Sequence, residues 1–103
     1  MPQQILVVID VQERLFSAMD ADRRDDMVRN LKILGAAARR LAVPVVLTEQ
    51  YPKGLGRTLP ELKALLDDVA PFEKTAFSCC GAPGFTEQLR AAGAEHVILA
   101  GME

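Results

Sequence analysis

The order of apolar runs along the chain predicts an α/β fold, a doubly wound parallel sheet of the Rossmann-like, three-layer α/β/α kind. Three observations carry this expectation. Ile5-Leu6-Val7-Val8-Ile9 and Val43-Pro44-Val45-Val46-Leu47-Thr48 are β-branched runs without polar alternation, the pattern of strands buried on both faces. His96-Val97-Ile98-Leu99-Ala100 repeats that pattern near Glu103. Between the runs lie segments of helical spacing, and strands that alternate with helices form parallel sheets through right-handed crossovers. Working residues in such sheets lie beyond the carboxyl ends of the strands, which is where Asp10 and Glu49 fall.

Composition narrows the function. The 103 residues are 50% apolar and 25% charged, enough for one small domain with a core. Twelve Lys and Arg against 14 Asp and Glu leave a net charge of -2, so nothing favours a nucleic-acid partner. No apolar run has the length of a membrane span, and Asp10 interrupts the first one too early for a signal peptide. Cys79 and Cys80 are adjacent and cannot staple a loop, which points to a reduced, cytoplasmic setting.

The elements follow in order. After the first strand, Met27, Val28, Leu31, Leu34, Ala38 and Leu41 recur at helical spacing, giving a helix over about 25–41. Asp25 and Asp26 suit its N-terminus, and Arg39 and Arg40 its C-terminus. The second strand ends at Glu49. A turning loop, Gln50 to Thr58, carries Pro52, Gly54 and Gly56. Pro60 opens a short helix through Leu62, Leu65 and Leu66, which Pro71 ends. Phe72 to Ser78 reads as a third strand, Pro83 to Ala92 as a helix with Gly93 as its C-cap, and His96 to Ala100 as a fourth buried strand. Strand order 3-2-1-4 puts strand 4 at an edge, yet it lacks the charge or Pro that blunts edges. Only the Pro83–Ala92 helix covers the second sheet face. The expectation is therefore a fold cut after its fourth strand, with 1–103 the N-terminal part of a longer domain.

Four segments, in order, resemble the isochorismatase-like hydrolases. They are Ile5 to Gln12, Thr48-Glu49-Gln50-Tyr51-Pro52-Lys53-Gly54-Leu55-Gly56, Phe72 to Ser78, and Val97 to Glu103. The second is most similar to the branch of little-characterised isochorismatase-domain proteins. The resemblance implies a six-stranded sheet and a catalytic Asp, Lys and Cys, cleaving a small amide or related C–N bond without a cofactor. Asp10 matches the aspartate and Lys74 the lysine. The family cysteine follows the Gly-Met-Glu turn by a few residues, beyond Glu103.

Each candidate has a plainer reading. Asp10 could merely cap a turn, and Lys74 could be a solvated lysine paired with Glu73. The resemblance tips Asp10 towards general base and Lys74 towards the cation that lowers a thiol pKa. Cys79 and Cys80 do not match the family thiol and read as small hydrophobes or bystanders. A single imidazole, His96, cannot supply the Asp and two His with which metal-using relatives bind an ion, so no metal is expected. Gly54-Leu55-Gly56 lacks the third Gly of a dinucleotide loop. In the family this loop lies near the pocket, which makes Tyr51 and Leu55 candidates for substrate contact. Gln12 and Phe16, just past the first strand, are further candidates, though Phe16 could equally be core. The expected partners are a small-molecule substrate and further copies of the chain in a homo-oligomer. The alternatives are a vinyl-ether hydrolase of the isochorismatase type, or a non-catalytic oligomeric or partner-binding relative.

Overall fold

A computed structural model describes residues 4–75, 78–81 and 84–102. The elements are β1 (Gln4–Ile9), α1 (Glu13–Ala18), α2 (Ala21–Arg40), β2 (Val45–Gln50), α3 (Pro52–Leu55), α4 (Pro60–Leu65), β3 (Phe72–Lys74), a 3₁₀ turn (Cys79–Gly81), α5 (Phe85–Ala91) and β4 (His96–Gly101). The four strands lie in the order β3-β2-β1-β4, and every pairing is parallel.

The non-alternating run of β1 is explained by its central place. Val7 sits between Val46 of β2 and Leu99 of β4. Its side chains point to opposite faces in turn, and both faces are covered. Leu6 and Val8 pack with Leu31 and Ala38 of α2 and Leu62 of α4. Ile5 and Val7 pack with Val46, Phe85 and Leu89 on the α5 side. All four β1 residues are at most 2% exposed, and burying each such side chain is worth about 1.5–3 kcal/mol. Phe72 meets Phe85 edge-on, with ring centroids 6.1 Å apart.

Several elements differ from the sequence expectation. The long helix begins at Ala21, because Asp20 caps it by accepting from the Asp22 N–H at 3.0 Å. Asp25 and Asp26 therefore lie within the helix. A short α1 fills the stretch before it. The turning loop contains a single helical turn, α3, opened by Pro52. The third strand is only three residues long, Phe72–Lys74; Ala76 and Phe77 lie outside the described residues, as does Pro83 of the predicted last helix.

The fourth strand has the apolar run of a buried strand but lies at the sheet edge, as the order 3-2-1-4 implies, and Val97 is 45% and Leu99 65% exposed. β4 pairs only with β1. The helix on its side, α5, has seven residues and reaches about 10 Å at 1.5 Å per residue. Ser78, Cys79 and Cys80 border the same face beside Val97 and Leu99, which stay open to solvent.

β4 ends in a tight crossing. Gly101 has φ +147, and a Cβ there would stand 2.0 Å from the Ile9 carbonyl oxygen. The close approach lets the Met102 N–H donate to that oxygen at 3.0 Å, bringing the chain beside Asp10. Gly101→Ala is expected to destabilise the fold by about 1–3 kcal/mol. Urea unfolding checks this, and an unchanged midpoint would contradict it.

Candidate active site

Asp10 is the residue that leaves β1, and it does so in the left-handed region, φ 55. Asp tolerates that conformation better than most residues, yet it is strained, and such strain gathers where the surroundings hold a side chain in place. Its N–H donates to the Thr48 carbonyl at 3.2 Å. Its carboxylate is fully buried and has two partners: Thr48 Oγ1 donates to Oδ1 at 2.8 Å, and Lys74 Nζ to Oδ2 at 2.8 Å. Lys74 is itself 0% exposed at its side chain. β1 and β3 are two sheet spacings apart, about 9.5 Å, and the lysine and aspartate side chains together bridge that gap over β2. So the pair that four short segments suggested is a direct contact at the carboxyl ends of the strands.

Two clamps hold the surrounding loop. Gln12 is fully buried and replaces main-chain pairing: Nε2 donates to the Gln50 and Gly56 carbonyls at 2.8 Å each, and Oε1 accepts from the Gln50 N–H at 2.6 Å. Glu49, 2% exposed, accepts at 2.8 Å from both the N–H and the hydroxyl of Thr58, and at 3.0 Å from Arg57. Arg57 also reaches Glu73 at 2.7 Å. These bonds, to Glu49 first, push the Arg57 pKa further above its usual value. Among the described residues no buried side-chain polar atom lacks a partner.

Lys74 lines an open cavity of about 440 Å³ together with Tyr51, Pro52, Lys53, Glu73, Thr75 and Gly81. Tyr51 has φ 37 and its ring lies so close to Gly54 that a Cβ there would meet it at 2.6 Å. Gly54 thus serves the ring, not a phosphate. Of the four residues expected at a pocket, only Tyr51 lines this cavity. Gln12 is buried, and both Nε2 hydrogens are committed to main-chain carbonyls. Phe16 packs against the core on the α2 side, lines a separate groove with Val28 and Ile33, and has the Arg24 guanidinium 5.6 Å from its ring centroid. Leu55 is half-buried in α3 and does not line the cavity.

Cys79 lies closer to the pair than its sequence position suggested. It packs with Ile5, Val7, Val46 and Phe85, and it is near enough to Thr48, Lys74 and Asp10 for each to act on its thiol. Burial dominates and raises the thiol pKa; the Lys74 cation pulls the other way. Cys80 is exposed. His96 starts β4, opposite Gln4 and at the far end of the sheet from Asp10. Among the described residues no three His, Cys, Asp or Glu side chains are grouped to hold a metal ion, and no helix is long and apolar enough to cross a membrane.

Thr48 and Gln50 were not expected in this cluster. They sit at the polar tail of a buried strand, a signal legible beforehand only as a topological position.

The chain is thus a parallel α/β sheet with a buried acid–amine pair at its carboxyl edge, and comparison with known proteins makes the class specific. The isochorismatase domain model matches residues 4–103. The chain is 38% identical over 100 residues to isochorismatase domain-containing protein 2 of Danio rerio, covering 96% of this chain and 48% of that one. It is 40% identical over 101 residues to its Bos taurus counterpart, covering 96% and 46%. Among solved structures, one described as the MAR1 ribonuclease of Caenorhabditis elegans superposes with a TM-score of 0.84 at 36% identity, over 98% of this chain and 52% of that one. The YcaC gene product of Escherichia coli, described as an octameric hydrolase of unknown specificity, superposes with a TM-score of 0.79 at 25% identity, over 96% and 50%. The chain belongs to the isochorismatase family. It spans about half the length of the relatives it matches.

Removing one member of a buried ion pair strands the other, at a cost of about 3–5 kcal/mol, whereas replacing both is far milder. Asp10→Asn and Lys74→Met are each expected to destabilise by that amount, and the double variant by less than their sum. A double-mutant cycle in urea checks this; additive effects would mean that the contact carries no coupling. The thiols give a second expectation. At pH 8 Cys79 should be alkylated more slowly than Cys80, since its raised pKa leaves less thiolate, and Lys74→Met should slow it further. Mass-spectrometric rates of iodoacetamide labelling measure both.

Proposed function

We propose that this chain supplies the acid–base half of a hydrolase site that cleaves a small amide or related C–N bond. The observation that supports the reading best is the buried Asp10–Lys74 contact at the carboxyl edge of the sheet, in a member of the isochorismatase family. In this reading residues 1–103 form the N-terminal part of the domain. The nucleophile in this reading is a cysteine in the polypeptide following Glu103; the Met102 N–H bond to the Ile9 carbonyl, next to Asp10, supports it. Asp10 takes the thiol proton, and Lys74 stabilises the resulting thiolate by its charge. The thiolate adds to the carbonyl carbon, the C–N bond breaks, and Asp10 returns the proton to the departing nitrogen. Water then attacks the thioester, loses its proton through Asp10, and releases the acid and the thiol.

The cavity beside Lys74, with Tyr51 at its wall, is where the small substrate would lie. The setting is a reducing, cytoplasmic one, in keeping with the free thiols of Cys79 and Cys80. Further copies of the chain are the partners we infer, in line with the octamer described for YcaC. The ribonuclease name of the C. elegans neighbour supports a second reading, RNA cleavage, against which stands the net charge of -2.

The test is turnover of small amides, ureido acids, enol ethers and RNA by protein that continues past Glu103. C–N cleavage is expected, with Asp10→Asn and Lys74→Met each lowering kcat/KM by about 100-fold or more. The 103-residue polypeptide alone should be inactive. Turnover by it that Cys79→Ser abolishes would move the nucleophile to Cys79, and turnover of RNA or enol ethers alone would replace the amide reading.

A further inference from the structure

Lys74 has the longest side chain in the buried cluster, and an unbranched arm of this kind loses rotamer freedom when fixed. Something must hold its ammonium on Asp10 rather than towards the open cavity it also lines. The neighbour across the sheet is Gln50, in register with Lys74. Its Oε1 accepts from Lys74 Nζ at 2.8 Å, matching the distance from Nζ to Asp10. Its Nε2 donates to the Thr75 carbonyl at 3.0 Å, one residue beyond the lysine. The carboxamide therefore grips both the head of Lys74 and the main chain that follows it. The main chain after Gln50 is tied to the same residue, because the Tyr51 N–H donates to the Lys74 carbonyl at 2.8 Å. Gln12 fixes Gln50 in turn, accepting from its N–H and donating to its carbonyl.

We propose that Gln50 is a positioning residue for Lys74, aiming its ammonium at Asp10, with Gln12 holding the Gln50 main chain in register. Gln50 does not act on substrate here; it acts through Lys74. Its amide is well suited to this, being neutral. A carboxylate in the same place would compete with Asp10 for the cation, and an apolar side chain would leave the ammonium one acceptor short. The functional meaning rests on Asp10 and Lys74 being a working pair, while the positioning itself stands on geometry alone.

The experiment separates the two. In ¹⁵N-labelled protein the Lys74 ammonium is followed directly by its Nζ–H signal, its exchange rate with water and its titration midpoint. Gln50→Leu should speed exchange by about tenfold or more, the equivalent of one lost hydrogen bond to a charged group, with the main-chain amide spectrum of the sheet unchanged. Gln50→Glu, which keeps the acceptor and adds a negative charge, should retain the signal and raise the midpoint. A merely structural role would not produce opposite effects from these two variants. Unchanged exchange in Gln50→Leu, or an unchanged midpoint in Gln50→Glu, would overturn the proposal; should Gln50→Leu fail to fold, the Gln50→Glu midpoint decides alone. Neither readout needs turnover. If hydrolysis is absent but these shifts occur, the positioning stands and the hydrolase reading falls.

Discussion

A buried carboxylate and a buried ammonium, Asp10 and Lys74, set the terms for everything at this edge of the sheet. Neither charge could remain in the interior alone, and the pair survives there only with its remaining hydrogen-bonding capacity served. Thr48 and Gln50 supply that service from β2, the strand between them. The left-handed turn at Asp10, the short β3 that brings Lys74 into register, and the loop clamped by Gln12 and Glu49 all follow from keeping this contact closed. A protein seeking only stability would do as well with apolar residues of similar volume. That it holds an ion pair in a strained turn at the functional end of a parallel sheet argues for chemistry.

The fold was legible because its physics is local and repetitive. β1 and β2 are central, so their sequences are apolar without alternation. The crossover rule then fixes the side on which each helix packs, and the observed order β3-β2-β1-β4 matches the arrangement that reasoning gave. What was misread depended on single side chains or on missing neighbours. Asp20 took the cap that Asp25 and Asp26 suited by composition alone. β4 carries the composition of a buried strand, but burial is a property of what lies against it, and among the described residues little does.

The site was legible to a lesser degree. Asp10 stood out through topology, while Lys74 became interesting only beside it in the family pattern; alone, the sequence favours a solvated lysine paired with Glu73. The structure gives Glu73 to Arg57 and Lys74 to Asp10, a partition that alternation in a three-residue strand decides. A glutamine near a strand end gives no hint whether its amide faces a ligand or the main chain; Gln12 binds the main chain of Gln50 and Gly56. Cys79, on the 3₁₀ turn, packs as one of the small hydrophobes its sequence suggested, against Ile5, Val7, Val46 and Phe85.

In the proposed mechanism Asp10 takes its proton from a thiol in the polypeptide that follows Glu103. The most direct test is the structure of the protein extended past Glu103, read for the nearest sulfur to the Asp10 carboxylate. A cysteine from that extension is expected with Sγ about 3–4 Å from an Asp10 oxygen, within reach for proton transfer, and Lys74 still on the other oxygen. An Asp10 covered by apolar side chains, with no thiol but that of Cys79 in reach, would contradict it.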